Sequence, residues 1–263
     1  MDETLLFLPS EGLTEVPNEI DNINLTRIDL SWNRLTNIPH TIGNLINLQR
    51  LDLSANLLTT VPDTIGNLIN LQELNLSGRE SITVKDIVGD SINLLLYTIS
   101  ELFPINRIHI SWFSNRLIKI PSAIGNLVNL SRLNLSRNHL SSIPDTIGNL
   151  VNLHHLDLSY NHLSSIPDTI DKAISLTTLN VSRNLLTNLP FGIDNLINLT
   201  DLGINNNKLS VRLIPAWESL VNLSVDDSIM DTITDPRLAL ITAYLSKSHT
   251  IDSLLIRWAT NVK

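Results

Sequence analysis

The sequence predicts a solenoid of stacked repeats with one strand per repeat, and three observations carry that expectation. The first is a 23-residue period that starts at Leu25. Five units keep it almost letter for letter: LTRIDLSWNRLTNIPHTIGNLIN (25–47), LQRLDLSANLLTTVPDTIGNLIN (48–70), LSRLNLSRNHLSSIPDTIGNLVN (130–152), LHHLDLSYNHLSSIPDTIDKAIS (153–175) and LTTLNVSRNLLTNLPFGIDNLIN (176–198). The second is the LxLxx core of each unit, where apolar and polar residues alternate as a half-buried strand requires. The third is that one such unit cannot bury its own apolar face, so neighbours must stack and the terminal units need caps.

Each part of the unit has its own reason. The proline of IPxxI cannot donate to a ladder, so it marks where the chain leaves the sheet. The recurring asparagine (Asn33, Asn56, Asn115, Asn138, Asn161, Asn184, Asn207) stands where the strand turns inward. Its short amide can satisfy backbone groups that would otherwise be buried unpaired. The glycines of IGN (Gly43, Gly66, Gly125, Gly148) mark a turn.

Three stretches depart from the period. Residues 1–24 hold a front half-unit, LFLPSEGLTEVPNEIDNIN (6–24), expected to act as an N-terminal cap to a solenoid over 25–222. Residues 71–106 keep the length of a degenerate unit, LQELNLSGRESITVKDIVGDSIN (71–93), and then add LLLYTISELFPIN, whose apolar spacing predicts a helix over roughly 91–103. The next strand has two registers open, with Ile108 and Ile110 or with Ile110 and Trp112 facing inward. A weaker unit with one extra residue, LTDLGINNNKLSVRLIPAWESLVN (199–222), precedes a tail from Leu223 that reads as two amphipathic helices and a C-terminal helical cap over 223–263.

Composition narrows the function classes. A formal net charge of −8 argues against nucleic-acid binding by bulk charge. With no cysteine there are no disulfides, thiolate metal sites or cysteine nucleophile. The acidic start, MDETLLFLPSEG, lacks the basic region of a secretory signal, and the apolar stretch 92–105 is too short and polar to span a bilayer. A cytoplasmic protein without membrane attachment is expected.

The consensus LxxLxLxxNxLxxIPxxIGNLxN resembles the leucine-rich repeat family over roughly residues 5–222. Its IP and IGNL elements look most like the 23-residue intracellular class, typified by Ras-pathway scaffold proteins and by related plant and bacterial repeat proteins. The resemblance implies an α/β fold: a right-handed, horseshoe-shaped solenoid with a parallel sheet on the concave side and short 3-10 or helical segments on the convex side. Bacterial effectors of the family carry a cysteine-dependent ubiquitin ligase domain, a chemistry this cysteine-free chain does not share.

No nucleophile elbow, phosphate loop or HExxH occurs, so no catalytic residue, metal ligand or cofactor is assigned. Histidine is the remaining chemistry-bearing type. His139 and His162 lie in a stretch, NHLSSIPDTI, copied whole at 138–147 and 161–170, which explains their spacing without a metal, and His154 and His155 should point to opposite sides of their strand.

Function in a solenoid sits where the scaffold does not dictate the letter. The variable concave positions nominate Trp32, Arg50, Glu73, Arg132, Asn134, Arg137, His155, Asp157, Tyr160 and Arg183 as partner-binding residues, densest from Arg132 to Arg183. Arginine and aromatic residues favour interface centres. The expectation is a non-enzymatic, monomeric module that binds a protein partner there and does not bind nucleic acid. The alternatives are a bacterial or viral effector that seizes a host protein in the host cytosol, and a module recognising nucleic acid or glycan.

Overall fold

The computed structural model describes residues 4–21, 23–78, 114–209 and 222–224. Among the described residues nine short strands form one parallel sheet in chain order: β1 Leu5–Phe7, β2 Arg27–Asp29, β3 Arg50–Asp52, β4 Glu73–Asn75, β5 Arg132–Asn134, β6 His155–Asp157, β7 Thr178–Asn180, β8 Asp201–Gly203 and β9 Asn222–Ser224. The register is uniform, with Arg27, Arg50, Glu73, Arg132, His155, Thr178 and Asp201 side by side. Parallel neighbours need a crossover, and here each crossover is one turn of the solenoid.

The opposite wall is a row of single 3-10 turns such as His40–Asn44, Asp63–Asn67, Ser122–Asn126 and Asp145–Asn149. Each follows a proline whose extended backbone (Pro39 φ −67°, Pro144 φ −72°) ends the descent from the sheet. Between the two walls run lanes of leucine and isoleucine. Leu30, Leu53, Leu76, Leu135 and Leu158, one per repeat, are all at most 1% exposed.

The asparagine ladder is the polar counterpart of those lanes. Asn56 donates to the carbonyls of Leu30, Leu53 and Ser54 and accepts the Leu35 N–H at 3.0 Å. The pattern repeats at Asn138, Asn161 and Asn184. Buried backbone groups at the turn thereby find hydrogen-bond partners.

Close stacking explains the IGN glycines better than turn geometry does. A Cβ on Gly148 would meet the carbonyl oxygen of Thr169 at 2.1 Å, and one on Gly43 that of Thr64 at 2.6 Å. Where the next unit replaces this glycine by Asp171, the facing threonine becomes Gly192, at φ +79°. The missing Cβ has moved across the contact.

Two expectations need correction. β4 pairs directly with β5, and the strand expected over 108–112 lies outside the described residues. Asn115 donates to the carbonyls of Leu53 and Leu76 at 3.0 and 3.1 Å and accepts the Leu58 N–H, so it completes the unit that β4 begins. The eight residues 71–78 and the fifteen residues 115–129 together make one 23-residue unit, interrupted by residues 79–114. The apparent degenerate repeat was a coincidence of length. The helix expected over 91–103 lies outside the described residues.

The second correction concerns the C-terminal boundary. Leu223, expected to open the tail, is the inward residue of β9, opposite Leu202 and 1% exposed. The pattern resumes as Leu220-x-x-Leu223-x-Val225, 21 residues after the preceding unit. The helical cap expected beyond it lies outside the described residues.

Candidate binding face

Two side-chain rows of each strand look out from the concave sheet, and a third row follows at its edge. The first row begins each strand: Arg27, Arg50, Glu73, Arg132, His155, Thr178 and Asp201. Arg50 Nη2 lies 2.9 Å from Glu73 Oε1, and Arg132 Nη1 lies 3.5 Å from the same oxygen. Glu73 thus bridges two strands on either side. All three groups reach solvent, so the bridge adds little to stability and mainly fixes where the guanidinium groups stand.

His155 follows Arg132 in this row. Partial burial, then the positive charge of Arg132, then His154 hold its pKa below the ordinary histidine value of 6.5, with Asp201 opposing them. His154 turns away from this row, as strand alternation requires, and its Nδ1 sits 2.7 Å from the Asn152 carbonyl.

The second row is structural. Asp52 and Asp157 accept the N–H of Ser54 and Ser159 at 2.9 Å, and Asn134 accepts that of Ser136 at 3.0 Å. Asn134 and Asp157, both nominated for partner contact, therefore also brace the turn two residues on.

The third row immediately precedes the asparagine ladder. Trp32, Ala55, Arg137, Tyr160, Arg183 and Asn206 all hold left-handed backbone, with φ between +53° and +62°. This twist turns the following asparagine inward and leaves its larger predecessors at the surface, while the small Ala55 is covered. The N–H groups of Trp32, Ala55, Arg137, Tyr160 and Arg183 donate to the next unit's backbone, as Arg137 does to Ser159 and Tyr160 to Ser182. Gly78 occupies the same row without positive φ, and there the chain departs before returning at Ser114.

Here the structure gathers the densest group. The Arg137 guanidinium carbon lies 3.9 Å from the centroid of the Tyr160 ring, and that of Arg183 lies 4.9 Å from it. Cation–π contacts of this length hold long side chains in place. The ten nominated residues thus fall into a bridged trio (Arg50, Glu73, Arg132), a stacked trio (Arg137, Tyr160, Arg183), His155 beside Arg132, the bracing Asn134 and Asp157, and Trp32. Trp32 stands apart, separated along its row by Ala55 and Gly78.

Sequence reading missed two exposed apolar residues at the start of the sheet. Leu5 and Phe7 are 46% and 61% exposed and continue the two sheet rows onto β1, opposite Arg27 and Asp29. Extending the concave lanes into the front half-unit would have found them. It also missed a second exposed row on the ascending flank, Ile46, Ile69, Val128, Val151, Ile174 and Ile197, set between a buried leucine and an asparagine in every unit but one, where Ala173 and Ser175 flank Ile174.

The copied histidines, His139 and His162, are exposed, with ring centroids 5.4 Å apart at 30°. Among the described residues no three His, Cys, Asp or Glu side chains gather to hold a metal ion, and no helix is long and apolar enough to cross a membrane.

Residues 118–262 match a leucine-rich repeat region, and residues 23–80 match the leucine-rich repeat. No curated protein matches the chain. Among solved structures, a leucine-rich repeat protein of Leptospira interrogans, LIC12759, is 31% identical with a TM-score of 0.54, over 86% of this chain and 61% of that one. The Arabidopsis receptor kinase HAESA, solved with the peptide hormone IDA and the co-receptor SERK1, is 25% identical with a TM-score of 0.58, over 84% of this chain and 32% of that one. The ectodomain of the Arabidopsis thaliana receptor kinase GASSHO1/SCHENGEN3, at 24% identity and a TM-score of 0.54, shares the fold over 88% of this chain and 28% of its own. The chain thus spans less than two thirds of each of these proteins.

Proposed function

The chain belongs to the leucine-rich repeat family, and from that premise we propose that it is a non-enzymatic interaction module that binds a protein partner on its concave face. The observation that carries this reading is the Arg137–Tyr160–Arg183 stack beside the Arg50–Glu73–Arg132 bridge. Six long side chains stand preordered on a rigid sheet, so little side-chain entropy remains to be lost when a partner docks. Arginine and tyrosine are also the residues that dominate binding energy at interface centres. The fold is a common protein-interaction scaffold, and the HAESA structure, which holds a peptide hormone and a co-receptor, supports the same reading.

The mechanism is recognition by a fixed pattern. Strand spacing of about 4.8 Å sets the interval between side chains in each row. A partner meets guanidinium, ring and imidazole groups at intervals the sheet imposes. No covalent step is involved.

The test is affinity capture with mass spectrometry from cell lysate, run beside a variant carrying Arg132→Glu, Arg137→Glu and Tyr160→Ala. A protein retained by the parent and lost with the folded variant supports the concave site. Capture of the same protein by both places the site elsewhere.

A second reading rests on another observation. A trough on the ascending flank is lined only by uncharged polar side chains, among them Thr26, Asn47, Gln49, Asn70, Gln72 and Ser131. Hydroxyl and amide groups without charge suit a neutral glycan. Binding on a glycan array that Gln49→Ala with Gln72→Ala abolishes would favour it over the concave site.

A further inference from the structure

The concave face has a charge pattern that the protein as a whole does not. The chain carries a net −8. Yet the panel formed by β5, β6 and β7 with their edge row presents Arg132, Arg137 and Arg183, with His155 and Tyr160 between them. Its single carboxylate, Asp157, is half-buried and accepts the Ser159 N–H at 2.9 Å. Acidic groups stand at both borders. Glu73 lies one strand before β5, and Asp201 one strand after β7. The positive window is therefore three strands wide, with about 10 Å between the rungs of Arg137 and Arg183.

From this complementarity we infer that the β5–β7 panel takes a short acidic segment of the protein partner, an extended run of a few carboxylates laid across the strands. The inference rests on the concave-face reading above and specifies the chemistry that face selects. Guanidinium groups pair with carboxylates through two parallel N–H donors, and Tyr160 holds two of them in register. Partial burial first, and then the positive charge of Arg132, hold the pKa of His155 below its ordinary value.

A long polyanion fits less well. Nucleic acid would run past Glu73 on one side or Asp201 on the other, and it would approach a molecule whose net charge repels it. A segment of three or four residues meets only the window.

The experiment uses the full chain and a fluorescein-labelled peptide with a central run of glutamates, read by fluorescence anisotropy at low and high salt. A glutamine-for-glutamate peptide and a labelled oligothymidylate of similar length run beside it. The expected result is saturable binding of the glutamate peptide, weakened by salt, and no binding of the glutamine peptide. Arg137→Gln with Arg183→Gln should weaken it at least tenfold, while Arg27→Gln, outside the window, leaves it unchanged. Arg137→Glu with Arg183→Glu should move the preference to a lysine-run peptide, a gain that misfolding cannot produce. Equal binding by parent and double variant, or preference for the oligothymidylate, overturns the inference. Failure of the glutamate peptide, with a captured partner still dependent on Arg132 and Tyr160, leaves the concave site standing and removes only its acidic partner. A captured partner indifferent to those residues removes both.

Discussion

Excising residues 79–114 should leave a complete solenoid. The cut joins Gly78 to Asn115 and gives LQELNLSG-NRLIKIPSAIGNLVN, which aligns without a gap on the unit 48–70. The junction demands left-handed backbone at position 78, the value its row neighbours Ala55 and Arg137 hold at +53° and +56°. Glycine adopts that conformation without penalty. The gain is the chain entropy of closing a span of this length between Gly78 and Asn115, about 3 kcal/mol, less whatever contacts the excised residues make. Urea unfolding followed by circular dichroism should therefore show one cooperative transition, with a midpoint at or above that of the parent. Loss of cooperativity, or a midpoint well below the parent, would mean that β4 and Asn115 do not form one unit.

Further predictions concern single contacts. Asn115→Ala leaves the Leu58 N–H as a buried orphan, whereas the carbonyls it served keep other donors (Asn56 for Leu53, Asn138 for Leu76, the Ala55 N–H for Ser77), so the loss should be about 1–3 kcal/mol by urea unfolding. Asn56→Ala orphans Leu35 in the same way and should cost the same, which a difference of more than about 2 kcal/mol between the two would contradict. Gly148→Ala drives a methyl onto the backbone carbonyl of Thr169 and should destabilise by about 1–3 kcal/mol in the same assay. His155 should titrate by NMR below 6.5, and Arg132→Gln should raise its midpoint by removing a neighbouring positive charge. Because the folded value is lowered, the stability linked to His155 is full above the unfolded value and is lost as pH falls through the folded one. His155→Gln should flatten that acid limb.

The regular part of the fold was legible because its letters are physically forced. Leucine fills each inward position, asparagine satisfies each turn, and proline ends each descent, so five nearly identical units announce themselves. The interruption was not legible. ITVKDIVGDSIN happens to place residues at the spacing of IPxxIGNLxN, and only the β4–β5 pairing and the reach of Asn115 to Leu76 reveal the splice. The candidate face was legible as rows but not as contacts. Sequence alone gives Tyr160 and Arg183 the same row number, while their stacking depends on how each side chain leans. The bracing of Asn134 and Asp157 followed from strand-end geometry that lettering does not carry.

The left-handed row carries a consequence for how such a protein can change. Arginine and tyrosine at φ near +55° cost the fold roughly 1–2 kcal/mol each relative to glycine. Substituting glycine at 137, 160 or 183 would relax the chain and erase the feature that a partner reads. Selection for a hardier protein and selection for a better binder therefore pull the same three positions in opposite directions. A thermostabilised variant found by screening for folding alone should drift toward glycine or asparagine along this row and lose its partner as it hardens.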